Sequence, residues 1–135
     1  MPPPQAEQAA SPLMPRAPHA PLVMVNLLRF RAQADYAHAP DLAPEGPRTG
    51  REAYRLYEAA ILPMLEASGG EVLFEGTGGA WFVGPVGERW DRVLMVRQVS
   101  LERFMALAQQ PEAKAAAAHR QAALEDSRLL PVLPG

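Results

Sequence analysis

His119, on an alanine-rich stretch, is the residue of this chain best suited to take or give a proton near neutral pH. Its helical neighbours Ala115, Ala116, Ala122 and Ala123 leave space around an imidazole. That fits a general base facing a cavity, and equally a histidine hydrogen-bonded to loop backbone. Arg120 follows it, and Arg128 lies beyond Asp126 and Ser127. Either arginine could hold a substrate carboxylate in a bidentate pair. The competing reading pairs an arginine with Asp126 or Glu125 to fix a helix–strand junction. Asn26 is an amide inside an apolar run, where an unsatisfied polar group costs about 1–3 kcal/mol. A ligand, backbone or a neighbouring side chain must therefore hydrogen-bond it. Asp91 and Arg97 share strand parity with Val93 and Met95, which would point them into one cavity, or leave Asp91 solvated at a strand start. Tyr54, Tyr57 and Trp81 offer aromatic bulk, for an organic ligand or for the core.

Several chemistries are excluded by what these residues lack. The chain has no cysteine, which removes disulfides, thiolate metal sites and Cys nucleophiles together. His19, His38 and His119 have no metal-site spacing, so no metal is expected. No G-x-S-x-G elbow occurs, and no paired catalytic carboxylates are apparent. Gly76, Gly78 and Gly79 do not make a dinucleotide loop, because Trp81 occupies the third glycine position and no helix follows. A net charge of −2 supplies no basic field for a phosphate backbone, which argues against nucleic acid as a partner. No segment is apolar enough to span a bilayer, and the N-terminus lacks the basic and apolar regions of a signal peptide. A cytoplasmic location is the resulting expectation.

The elements that must position these side chains follow from periodicity. Residues 1–20 carry Pro2, Pro3, Pro4, Pro12, Pro15 and Pro18, whose fixed φ angles predict an extended, disordered tail. Residues 21–135 form the folded domain, since a chain of 135 residues can bury one core. Leu22–Phe30 is apolar at odd and even positions, a strand covered on both faces. Arg31–Arg48, with Pro40, Pro44, Gly46 and Pro47, predicts a long loop near a pocket entrance. Thr49 and Glu52 form a capping box for a helix that ends at Gly69-Gly70 and is kinked at Pro63. Glu71–Glu75 and Ala80–Val83 read as a strand broken by glycines, and Asp91–Val99 as the next strand. Ser100 caps a helix, Pro111 starts another that runs to about Asp126, and Leu129–Leu133 is a last, edge strand containing Pro131. The predicted fold is α+β, a ferredoxin-like βαββαβ unit with strand order 4-1-3-2. Its helices cover one sheet face, and the other is most simply covered by a second copy in a homodimer.

Val25-Asn26-Leu27-Leu28, the run from Arg51-Glu-Ala-Tyr54 to Ala67-Ser-Gly-Gly70, Trp90-Asp91, and His119-Arg120 through Asp126-Ser127-Arg128-Leu129 together resemble one family. It is the uncharacterised bacterial family numbered thirteen-thirty among domains of unknown function. The resemblance covers Pro21 to Val132, and the long Arg31–Arg48 loop and the Gly76–Gly79 insertion depart from the family's commoner pattern. It implies membership of the dimeric α/β-barrel superfamily, beside antibiotic-biosynthesis-type monooxygenases, muconolactone isomerases and haem-binding chlorite dismutases. It also implies a homodimer with an internal small-molecule pocket.

Three functions are therefore expected to compete. One is a metal-free, cofactor-free oxygenase, isomerase or cyclase acting on a small organic acid or phenolic metabolite. There His119 acts as base, with Asn26 and an arginine stabilising an oxyanion. The second is a non-catalytic metabolite-binding module. The third is a haem-binding protein with His119 as axial ligand.

Overall fold

Alternation along Leu22–Phe30 decides how the sheet is used. In the computed structural model, which describes residues 19–134, this segment is strand β1, with Leu22, Met24, Leu28 and Phe30 buried on one face. It lies between β3 (Arg92–Gln98) and β4 (Leu124–Val132), and β2 (Glu71–Thr77) pairs with the free edge of β3. The order β2-β3-β1-β4 is antiparallel throughout, the ferredoxin-like βαββαβ sheet that the sequence predicts. The Pro-rich tail read over residues 1–20 lies, as far as residue 18, outside the described residues.

Three helices, α1 (Gly50–Ala67), α2 (Leu101–Gln109) and α3 (Pro111–Ala123), pack on the even-numbered face of β1. The capping box forms: the Thr49 amide donates to Glu52 Oε1 at 2.8 Å, and the Glu52 amide donates to Thr49 Oγ1 at 3.0 Å. Beyond it α1 runs through Pro63 without ending. The core gathers Leu28, Phe30, Ala53, Tyr54, Leu94, Ala123 and Leu124, where β1, β3, α1 and the α3–β4 junction converge.

Three boundaries differ from the sequence expectation. Helix α3 stops at Ala123, and β4 begins at once with Leu124 rather than at Leu129. Burial is the reason: Leu124 pairs with Phe30 in the core, and the Arg31 amide donates to the Ala123 carbonyl at 2.8 Å. Ala80–Val83 is not a strand. One isolated bridge joins Ala80 to Arg89, and the tip between them exposes Phe82, Val83 and Val86. The bulge that the glycines suggested sits earlier, where the β2–β3 register shifts between Val72 and Phe74.

Among the described residues, nothing covers the other face of the sheet. Register places Val23, Val25 and Leu27 of β1 on it, with Val93 and Met95 of β3 and Leu130 and Val132 of β4. Leu130 is 61% and Phe74 56% exposed, an apolar surface of the kind that marks an interaction face. Among the described residues, no helix is long and apolar enough to cross a membrane.

Candidate functional site

Between the helices and the even-numbered face of β1 lies a cavity of about 700 Å³. Its body is apolar, with Met24 and Val96 from the sheet facing Ile61, Leu65 and Phe104 from the helices. Polar groups enter at fixed points, the pattern expected of a small-molecule site. Asn26, Tyr54, Tyr57, Glu58, Arg120 and Gln98 all line the wall.

Each of these side chains is placed by its element. Asn26 shares parity with Met24 and Leu28, so the β1 pleat aims it at the helices; its Nδ2 donates only a long 3.3 Å bond to the Met24 carbonyl. Tyr54, Tyr57 and Glu58 follow helical spacing on the inner face of α1, with the two phenol rings 5.3 Å apart. Burial pushes the pKa of Tyr54 far up and raises that of Tyr57, while nearby Arg120 pulls both down. Both are thus un-ionised phenols, able to donate, at neutral pH. Glu58 is held by Arg92 at 2.6 Å, and the second arm of that guanidinium reaches Glu75 at 2.8 Å. Arg120 is different. It is half-buried on α3, and among the described residues its guanidinium has no hydrogen bond and no carboxylate within 4.0 Å.

The structure therefore brings Asn26, Tyr54 and Arg120 together. Arg128 also contributes to the wall, but its Nη1 is bound to Asp126 Oδ1 at 2.6 Å and its guanidinium lies 5.1 Å over Trp90. The other sequence candidates lie elsewhere, each in a structural contact. Asp91 Oδ2 accepts from the Phe30 amide at 2.9 Å, tying the end of β1 to the start of β3. Arg97 is on the uncovered sheet face, paired across strands with Glu71 at 2.9 Å. Trp81 sits in the loop after β2, its Nε1 donating to Glu88.

His119 does not line the cavity. It faces the loop Arg31–Arg48, where the Tyr36 hydroxyl and its Nδ1 are 2.7 Å apart. The loop also folds onto α3 through the Asp35 amide to the Ala122 carbonyl, at 2.9 Å, and His38 to the Ala118 carbonyl, at 3.1 Å. None of its residues lines the cavity, so it covers the back of α3 rather than the entrance. Haem does not fit these residues. No described histidine lines the wall, and the ring offered as its axial ligand is turned to Tyr36. Nor do the described residues contain a group of three His, Cys, Asp or Glu that could hold a metal ion.

Burial lowers the pKa of His119, and it raises that of Tyr36, which stays protonated where the two rings share their hydrogen bond. Because the native imidazole binds its proton less readily than the unfolded one, the stability it contributes is present above about pH 6.5 and is lost as pH falls below that value. Between pH 7 and 5, the urea midpoint of wild type should fall more steeply than that of His119→Gln. Parallel profiles for the two proteins would show that the contact between His119 and Tyr36 does not titrate in this range.

Sequence reasoning passed over Gln98, Glu58 and Arg92. The parity argument that singles out Asn26 applies equally to Gln98, which stands in line with Leu94 and Val96 on the helix-facing side of β3.

No protein-family model matches the chain, and no curated protein does. Among solved structures, the chain is similar to RPA0582, a protein of unknown function from Rhodopseudomonas palustris, at 31% identity and a TM-score of 0.81, over 100% of this chain and 95% of that one. A methylated form of RPA0582 gives a TM-score of 0.82 at 31% identity, covering 100% of this chain and 93% of that one. Two more distant structures share the fold at 14% identity. One is a dimeric protein of unknown function with a ferredoxin-like fold from Bacteroides fragilis, with a TM-score of 0.51 over 84% of this chain and 96% of that one. The other is the hydroxynitrile lyase of Passiflora edulis, with a TM-score of 0.55 over 87% of this chain and 96% of that one.

Proposed function

The chain belongs to the same family as RPA0582 of Rhodopseudomonas palustris, and on that premise we propose that it binds a small organic acid in the cavity between sheet and helices. One observation carries this reading: Arg120 presents a guanidinium with no carboxylate partner among the described residues to a largely apolar cavity. A half-buried cation of this kind gains most from a ligand carboxylate, which the planar fork can meet with two bonds. Asn26 and the two phenols stand beside it as further donors. Membership of family thirteen-thirty, suggested by the motifs, belongs to the same proposal. So does a homodimer closed over the uncovered sheet face, as expected of a dimeric α/β barrel; the Bacteroides fragilis relative is dimeric.

Calorimetry with phenylpropanoate and octanoate tests the binding site. Wild type should bind at least one of them, and Arg120→Gln should bind it roughly 10–100-fold more weakly, the loss expected when a charge-assisted pair is replaced by a neutral contact. Equal affinity in the two proteins would sink the assignment. Sedimentation should give twice the chain mass for the dimer, and a monomer at micromolar concentration would remove that part of the proposal.

Catalysis on the same acid is a second reading, favoured by the protonated Tyr54 and Tyr57 phenols beside Arg120 and Asn26. Donors so arranged can stabilise an enolate-like oxyanion, as a metal-free isomerase or cyclase requires. The hydroxynitrile lyase shares only the fold and lends no chemistry of its own. Turnover of a bound acid, followed by NMR and abolished in Tyr54→Phe, would establish an enzyme; a ligand recovered unchanged leaves a binding module.

A further inference from the structure

Gln98 is 4% exposed, lines the cavity, and its Oε1 has no hydrogen-bond partner. A buried amide oxygen left unmatched is costly, and native structures rarely keep one without a use for it. It cannot belong to the same end of the cavity as Arg120. Arg120 acts on Tyr54 and Tyr57, and Tyr54 packs with Leu94 in the core. Gln98 pairs with Leu22 while Leu94 pairs with Asn26, so the amide lies four residues further along the strand. At strand rise the backbone positions of Leu94 and Gln98 are roughly 13 Å apart. Between them the wall is apolar: Met24, Val96, Leu65 and Phe104.

The geometry points to a ligand with two polar ends: we infer that this site takes an elongated carboxylic acid with an apolar middle and a hydroxyl group at the end remote from the carboxylate. The inference rests on the proposal that Arg120 holds the acid. A hydroxyl suits Gln98 because it can donate to Oε1 and accept from Nε2, so either orientation of the amide is satisfied. A cationic amine would be stripped of water at a buried end with no counter-charge from Gln98. Compact acids such as acetate or lactate cannot reach both groups. The chemistry is shared by phenolic acids and omega-hydroxy fatty acids, and the two are distinguished by experiment.

The test uses matched pairs on the full chain: para-hydroxyphenylpropanoate against phenylpropanoate, and omega-hydroxyoctanoate against octanoate. In wild type the hydroxylated member of one pair should bind about tenfold or more tightly than its partner, because a site built to hydrogen-bond a hydroxyl discriminates against the analogue that lacks it. Which pair shows the preference identifies the phenolic or the aliphatic class. In Gln98→Met, which is close in length and apolar, the preference should disappear while the plain acid binds at least as well as before. Gln98→Leu serves if the Met variant does not fold, and the wild-type comparison stands without either. Equal binding of both members of each pair to wild type would overturn the inference and show that water satisfies Gln98. The acid site would survive that result, provided Arg120→Gln still weakens both members alike. If none of the four acids binds wild type, or binding ignores Arg120, the acid-binding proposal fails and this inference with it.

Discussion

Gly50→Ala is expected to destabilise this protein by about 3 kcal/mol or more. Gly50 opens α1 where three backbone segments meet. Its amide donates to the Arg31 carbonyl at 3.1 Å, and the Arg31 amide donates to the Ala123 carbonyl at 2.8 Å. A Cβ at this position would lie 2.3 Å from the Arg31 oxygen, 2.5 Å from the Ala123 oxygen and 2.8 Å from the Arg31 nitrogen. None of these atoms can rotate away as a side chain would. Relief requires α1 to back off from the end of β1 and the end of α3, which breaks the junction bonds and opens the core around Ala53 and Ala123. Against a typical total stability of about 5–15 kcal/mol, such a loss removes a large share. Urea denaturation beside Gly79→Ala, where an added Cβ meets nothing within 4 Å, is the measurement. A Gly50→Ala protein within about 0.5 kcal/mol of wild type would show that the junction yields easily.

Trp90→Ala should cost about 3–5 kcal/mol, the range for removing a large buried aromatic. Only 3% of Trp90 is exposed, although it stands just before β3. Its ring is flanked by two guanidinium groups, Arg29 at 4.5 Å and Arg128 at 5.1 Å from the ring centre, and its Nε1 donates to Glu88 at 3.3 Å. Removing the ring leaves a cavity and takes away the surface on which both cations lie. Asp126 would still hold Arg128 at 2.6 Å and Arg29 at 3.7 Å. Burial works against the Asp126 carboxylate, but the bond from Arg128 and the amide of Ser127 outweigh it and keep its pKa below the ordinary value. Trp90→Phe restores a ring without the indole N–H, so it should recover most of the loss. Equal destabilisation by Ala and Phe would mean that the Glu88 hydrogen bond, not the stacked ring, is what matters.

What could be read from the sequence was what depends on neighbours along the chain. Thr49 and Glu52 make their capping box within one turn, and the amphipathic spacing of Tyr54, Tyr57 and Leu65 needs no partner to be seen. The same holds for the strand parity that marked Asn26 as a polar group in an apolar wall. Failures arose where pairing partners decide. Arg97 looked available until strand register set Glu71 beside it, whereas Arg128 takes the pairing with Asp126 that its competing reading had given. His119 lies on a helix whose alanines conceal which side faces inward, and only the tertiary contact with Tyr36 reveals it. The end of α3 was misread for a related reason. Ala122 and Ala123 continue the helical composition, and it is the burial of Leu124 against Phe30 that turns the chain into a strand. Gln98 was visible by the rule applied to Asn26, but its place at the end of a strand, beside the charged Arg97, disguised it as a boundary residue.

The two outer strands of the sheet carry different chemical protections, with a consequence for how copies of this chain can associate. On β4, Pro131 removes one backbone donor from the row that another strand would need. On β2, Glu71 and Glu75 place carboxylates along the rim, and the shift between Val72 and Phe74 breaks its regular spacing. Strand-by-strand addition, which would extend a sheet without limit into fibres, is thereby disfavoured at both sides. With both rims blunted, the face proposed above for a second copy is the surface left to association, and a face used once by each of two copies leaves nothing for a third. The same residues that blunt the rims thus favour a closed assembly of fixed size over open polymerisation.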